Sequence, residues 1–143
     1  MELGKDCIGV GCGAIIINDN NEVLLLKRSE NSRTEPGTWS RPGGAVEYGE
    51  SLKQAVEREV FEETNVKVEV IRFLEITENI HEDKHWIAIG FLAKYISGEP
   101  EIPEKEKHKH DEIRWFKIDS LPENINNYTR NAINKYLESK NGI

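Results

Sequence analysis

Cysteine is scarce: Cys7 and Cys12 are the two in 143 residues. A disulfide scaffold needs more of them in a shorter chain. Their odd offset on a predicted strand places the two thiols on opposite faces, so no bridge between them is expected. Free thiols suit a reducing cytosol. No apolar run approaches the ~20 residues that cross a bilayer. The opening residues, Met-Glu-Leu-Gly-Lys-Asp, show no apolar signal-peptide core. A cytoplasmic protein with no membrane contact is expected. Long basic runs are also absent and the formal net charge is -7, which argues against a nucleic-acid partner. The tract from Glu104 to Asp111 (Glu-Lys-Glu-Lys-His-Lys-His-Asp) nearly cancels its own charge. It reads as a solvated loop, with His108 and His110 as ordinary residues of it. No internal repeat or low-complexity segment is present.

What remains is a balanced composition, 37% hydrophobic and 31% charged. It suits a single domain over residues 1–143 with one core. Ile8 to Ile17 reads as a buried strand. Asn18-Asp19-Asn20-Asn21 is a turn cluster, and Glu22 to Arg28 reads as the returning strand of a hairpin. Ser29 to Pro36 is a polar loop, and Trp39 to Val46 holds the tight Pro42-Gly43-Gly44 feature. Val66 to Thr77 and His85 to Tyr95 read as longer strands, Gly98 to Asp111 as a loop, and Glu112 to Ile118 as a short strand. A last helix spans about Ile125 to Ser139, with Tyr128, Ala132, Ile133, Tyr136 and Leu137 recurring at helical spacing as its docking stripe. Strands, helix, strands, helix predict an α+β or α/β sandwich around a mixed sheet.

Ser51 to Thr64 is the clearest helix. Ser51 and Gln54 form a capping box, and Asn65 suits a left-handed C′ position. On a wheel of about 100° per residue, Leu52, Ala55, Val56 and Val60 share one face. Glu59 and Glu63 fall in the middle of that face, each within about 20° of Leu52, with Glu62 beside them. A purely structural helix places its carboxylates opposite the apolar stripe. Three like charges within a turn repel, and the C-terminal end of the helix dipole disfavours them. Such a local conflict marks a functional site. A hard divalent cation resolves it, because Mg²⁺ takes carboxylate oxygens, phosphates and water. A solvated acidic patch countered by Arg58 is the structural alternative, and the inward placement weakens it.

The wider segment reads Gly44, five residues, Glu50, seven residues, Arg58-Glu59-Val60-Phe61-Glu62-Glu63-Thr64-Asn65-Val66. It closely resembles the Nudix box, here residues 44–66. One fixed position departs: Asn65 stands where that family has glycine. Trp39 before the Pro-Gly-Gly turn and Trp115-Phe116 before Ser120-Leu121-Pro122 extend the likeness over most of the chain. The nearest resemblance is to small MutT-like nucleotide diphosphatases.

This resemblance implies a Nudix-type α/β/α sandwich with a mixed central β-sheet. It implies hydrolysis of a nucleoside diphosphate linked to another moiety, with Mg²⁺ or Mn²⁺ as cofactor. Carried over by position, Glu59 and Glu63 are metal ligands, Glu62 a further ligand, and the Gly43 carbonyl an additional one. Among the catalytic residues, Arg58 is placed to pair with a box carboxylate and hold its rotamer, with Glu50 sharing the network. The general base is Glu62 or a late-loop carboxylate. Glu112 is chosen there over Glu104, Glu106 and Asp111. Arg28 and Arg41 could reach phosphates, and Trp39, Phe91 or Trp86 could stack on a base, although such aromatics more often fill cores. The substrate expected is a nucleoside triphosphate or modified (d)NTP giving a monophosphate. An ADP-ribose or nucleotide-sugar pyrophosphatase is the alternative enzyme. A catalytically inactive nucleotide-binding module is the alternative of another class, and an acidic adaptor domain is a further one. A homodimer is left open.

Overall fold

The computed structural model describes residues 1–32 and 34–140. Strand β1 (Gly9–Ile17) alternates its side chains between two buried faces. Cys12, Ala14 and Ile16 point into one core and Ile15 into the other. Both faces are covered because a helix lies on each. The first core takes Ala55, Val56 and Val60 from α1 (Leu52–Thr64). The second takes Ala132, Ile133 and Tyr136 from α2 (Asn127–Lys140). This is the expected sandwich with helices on both sides of a mixed sheet.

The remaining strands are β2 (Glu22–Arg28), β3 (Trp39–Ser40), β4 (Gly43–Ala45), β5 (Lys67–His81), β6 (Lys84–Ser97) and β7 (His110–Lys117). β1 runs parallel to β6, while β5 and β6 form a long antiparallel hairpin. The hairpin expected of β1 and β2 is nearly unpaired. Their register holds at Ile17↔Val23 alone, and the chief partner of β2 is β7. Past that point the two strands part, and the chain from Trp39 to Ala45 lies between them. β3 pairs with β2, and β4 pairs with β1 through Gly11↔Ala45, Cys12↔Gly44 and Gly13↔Gly43. Glycine makes the insertion feasible: a Cβ on Gly43 would lie 2.1 Å from the Cys12 carbonyl oxygen.

Several boundaries move from the sequence reading: β5 runs on to His81 rather than ending at Thr77, and β6 to Ser97 rather than Tyr95. β7 begins at His110, two residues before Glu112, because pairing with β2 continues across a bulge to Arg28↔His110. The last helix begins at Asn127 rather than Ile125, whose backbone instead bridges to Trp39. Cys7 and Cys12 are both free, and Cys7 lies before β1. Among the described residues no helix is long and apolar enough to cross a membrane.

α1 starts and stops where its sequence directs. The Ser51 hydroxyl accepts from the Gln54 amide, and the Ser51 amide donates to the Gln54 side chain. At the other end Asn65 adopts φ 64°, and its N–H donates to the Phe61 carbonyl. An L-residue in that conformation costs about 1–2 kcal/mol, with Gly exempt and Asn tolerant. Replacing Asn65 by Ala is therefore expected to lower unfolding stability by about 1 kcal/mol, and Asn65→Gly to leave it unchanged. Chemical denaturation midpoints compare them. Equal losses in both variants would refute a conformational role for this cap.

Candidate active site

α1 becomes acidic where it enters the core. Glu63 is 8% exposed, in line with Ala55, Val56 and Val60 on the inner face. Its carboxylate accepts one hydrogen bond, 2.8 Å long, from the Gly43 amide. Burial, reinforced by Glu59 and Glu106, pushes its pKa up to about 8. Glu59 is half-buried, and burial likewise raises its pKa against the pull of Arg58. Gly44 is glycine for a local reason: a Cβ there would sit 2.1 Å from a Glu59 carboxylate oxygen. Glu62 is the most open of the three, with its side chain 43% exposed.

Arg58 gathers these carboxylates. Its guanidinium lies 2.5 and 2.9 Å from Glu50, 2.8 Å from Glu59 and 3.1 Å from Glu62, and it donates to the Ala45 carbonyl at 3.2 Å. The resulting hydrogen bonds hold Glu50 down at about 2. With Glu47 also at 3.8 Å, one positive charge faces four carboxylates before Glu63 is counted. Arg58 orients the cluster without neutralising it, and the surplus calls for further positive charge. The Cys12 thiol nearby is raised to about 11 by burial and by Glu59, so it stays protonated and unreactive.

Beside Glu63 opens a cleft of about 460 Å³, bordered by Arg28, Gly43, Lys109, His110 and Tyr128. Arg28 donates to the Tyr128 hydroxyl at 3.1 Å, and its Nε is buried without a partner among the described residues. Glu106 arrives from a 3-10 turn (Glu104–Glu106) and His110 from β7. Burial and the charge of Arg28 pull the His110 pKa down to about 4, so the ring is neutral at neutral pH. A buried carboxylate facing a second one, with one backbone donor between them, fits a divalent cation in its donor chemistry.

Other predicted residues lie elsewhere. Arg41 borders the cleft, yet its guanidinium is taken by Glu75 at 2.8 Å and the Tyr128 carbonyl at 3.2 Å, with both side chains almost wholly buried. That leaves it little to offer a phosphate. Trp39 packs edge-on against Phe116 in the α2-side core, because β3 directs it there. Phe91 lies in the α1-side core, and Trp86 lies against Gly4 and Gly9. Glu112 on β7 has a partly exposed side chain, is ion-paired with Arg114, and does not border the cleft. For Gly43 the visible contact is its amide, which donates to Glu63. From sequence, His110 reads as an ordinary residue of a solvated loop and Tyr128 as part of the docking stripe of the last helix, and Glu75 is not singled out. No periodicity marks His110, because it sits in a charged tract whose pairing depends on a distant strand.

Residues 8–136 match the NUDIX domain family. The chain is 34% identical over 132 residues to the NAD-capped RNA hydrolase NudC of Haemophilus influenzae (strain PittEE), covering 85% of this chain and 48% of that protein. It thus spans about half the length of the curated relatives it matches. Among solved structures, the MutT NUDIX hydrolase from Burkholderia pseudomallei aligns with a TM-score of 0.80 at 36% identity, covering 90% of this chain and 97% of that one. The MutT protein from Methanosarcina mazei Go1 aligns with a TM-score of 0.79 at 30% identity, covering 99% and 100%.

The Glu63 pKa predicts how stability varies with pH when cations are removed. Its folded value of about 8 exceeds its ordinary 4.5, so the folded state retains a proton the unfolded chain releases. That contribution is complete below the unfolded value and is lost as pH rises through the folded one. In chelator, wild type should lose thermal stability between about pH 5 and about pH 9 relative to Glu63→Gln, whose amide cannot ionise. Melting curves of both proteins across that range test this. Parallel pH slopes would contradict an ionising, buried Glu63.

Proposed function

Because this chain belongs to the NUDIX domain family, we propose that it is a divalent-metal-dependent pyrophosphohydrolase cleaving a nucleoside diphosphate linked to another moiety. The observation that carries this is the carboxylate surplus on the inner face of α1: Glu63 buried, Glu59 half-buried, and one guanidinium shared among Glu50, Glu59 and Glu62.

Glu59 and Glu63 would hold the cation, with Glu62 and the Gly43 carbonyl as further ligands. A bound Mg²⁺ or Mn²⁺ would neutralise charge on the phosphoryl oxygens and lower the pKa of a coordinated water. Arg58 keeps Glu59 and Glu62 in fixed rotamers, so that little reorganisation is needed during the reaction. Glu62 is our choice of general base: it is the most exposed of Glu59, Glu62 and Glu63, and Arg58 is bonded to one of its oxygens. The exposed pair with Arg114 makes Glu112 the weaker choice.

On the substrate side, Arg28 supplies the cationic anchor. The Tyr128 hydroxyl orients it, and its unpartnered Nε remains for a phosphate oxygen. Tyr128 is the aromatic bordering the cleft, which favours it over Trp39 for contact with a base. With phosphate groups and cation as the main handles, a nucleoside triphosphate or modified (d)NTP giving a monophosphate is the substrate class proposed first. A dinucleotide pyrophosphate of the NAD type is the second reading. It is favoured by the likeness to proteins described as NAD-capped RNA hydrolases, of which this chain spans about half.

A panel of dNTPs, NTPs, NAD⁺, NAD-capped RNA, ADP-ribose and nucleotide sugars tests this. Each is incubated with Mg²⁺ or Mn²⁺ in H₂¹⁸O, and the products are identified by mass. Cleavage between phosphorus atoms, with label in a product phosphate and none formed in chelator, is expected. Glu63→Gln should retain the fold and lose activity by about 10²–10³-fold or more, the scale of one lost electrostatic stabiliser. Arg28→Ala should mainly raise KM. Metal-independent turnover, or wild-type rates in Glu63→Gln, would sink the proposal.

A further inference from the structure

Three elements separated in sequence bring ligating atoms together beside the cleft, which Glu63 and His110 border. Glu63 from α1, Glu106 from the 3-10 turn and His110 from β7 each place one within 4.8 Å of the others. His110 is 8% exposed. Its Nδ1 is buried and makes no hydrogen bond among the described residues. A structural core histidine normally spends its ring nitrogens on protein partners. This one is held in place yet unspent. The β-bulge between Lys27 and Arg28 shifts the register there, so that His110 pairs with Arg28. Bulges re-aim side chains in this way next to functional sites.

The donor set is chemically distinctive. Carboxylates alone suit Mg²⁺, whereas an imidazole adds a nitrogen donor that strengthens binding of first-row transition ions and does little for Mg²⁺. Opposite ligands around an ion with bonds of about 2.1 Å lie about 4.2 Å apart, so the cluster needs little contraction. Lys109 stands 3.5 Å from Glu106, and its side chain is 54% exposed, leaving it free to turn into solvent as a cation arrives.

We propose that Glu63, Glu106 and His110 form a mixed carboxylate–imidazole position that prefers a first-row transition ion to Mg²⁺, with His110 as a nitrogen ligand. The proposal rests on the reading that Glu63 is a metal ligand, and it adds two residues outside the box, Glu106 from the 3-10 turn and His110 on β7. It makes the late loop part of the cation site, joining α1 to β7 through the bound ion.

Mn²⁺ is the probe. Continuous-wave EPR of free Mn²⁺ gives its affinity, and pulsed EPR of the bound ion detects nitrogen in the coordination sphere. The wild-type complex is expected to show ¹⁴N modulation of the imidazole kind. A chain with His81, His85 and His108 all changed to Gln keeps His110 as its sole imidazole and should keep the modulation. This arm avoids altering the buried ring. His110→Gln should lose the modulation and bind Mn²⁺ at least about tenfold more weakly, the lower bound for disturbing a metal site's supporting residues. Mg²⁺ affinity, measured by displacement of Mn²⁺, should shift far less. Bound Mn²⁺ without nitrogen modulation in the wild type would overturn the proposal and leave the carboxylate site standing. Loss of the modulation in the triple-histidine variant would overturn it too. If wild type bound no Mn²⁺, both this proposal and the metal-dependent reading would fall.

Discussion

The structure depends on one unfavourable burial. The Glu63 carboxylate sits on the core-facing side of α1 with a single hydrogen bond, from the Gly43 amide. Placing an ionised carboxylate there without adequate partners costs several kcal/mol, and such a group ordinarily takes up a proton. Glu63 does so in the absence of cations, with its pKa near 8. The same burial that makes the ionised group costly for the bare protein would make it a strong ligand for the divalent cation proposed here, because little water competes for it.

The rest of the fold serves that position. β1 and β2 part after Ile17↔Val23, and the glycine-rich β4 enters between them. This brings the Gly43 amide to Glu63 and opens the space that Glu59 occupies over Gly44. Behind β4, the buried pair Arg41–Glu75 ties the segment before Pro42 to β5, and the Arg41 amide donates to the Thr129 hydroxyl of α2. Removing one member of such a pair is far more costly than never having built it. Its role is to hold the backbone on which Glu63 depends, and the exposed ion pairs elsewhere contribute little by comparison.

Much of this was legible in the residue order, and the limits have physical causes. α1 was readable because its signals are local: a capping box at Ser51, a left-handed Asn65, and a wheel that placed Glu63 inward. The two-sided core was readable from the apolar run of β1 and the stripe of α2. The parting of β1 from β2 was not, since it depends on a third segment entering through close glycine contacts. The use of Arg41 by Glu75, 34 residues away, was invisible for the same reason. His110 was hidden by its neighbours. A charged tract offers no hydrophobic period, and its burial follows from pairing with Arg28 across a bulge.

Anomalous diffraction from crystals grown with Mn²⁺ and a non-hydrolysable nucleotide would locate the cation directly. The account predicts an anomalous peak with Glu59 and Glu63 oxygens at about 2.1 Å, the bond length of a small hard divalent ion. A well-ordered crystal with both carboxylates turned to solvent, and no peak at the inner face of α1, would contradict it.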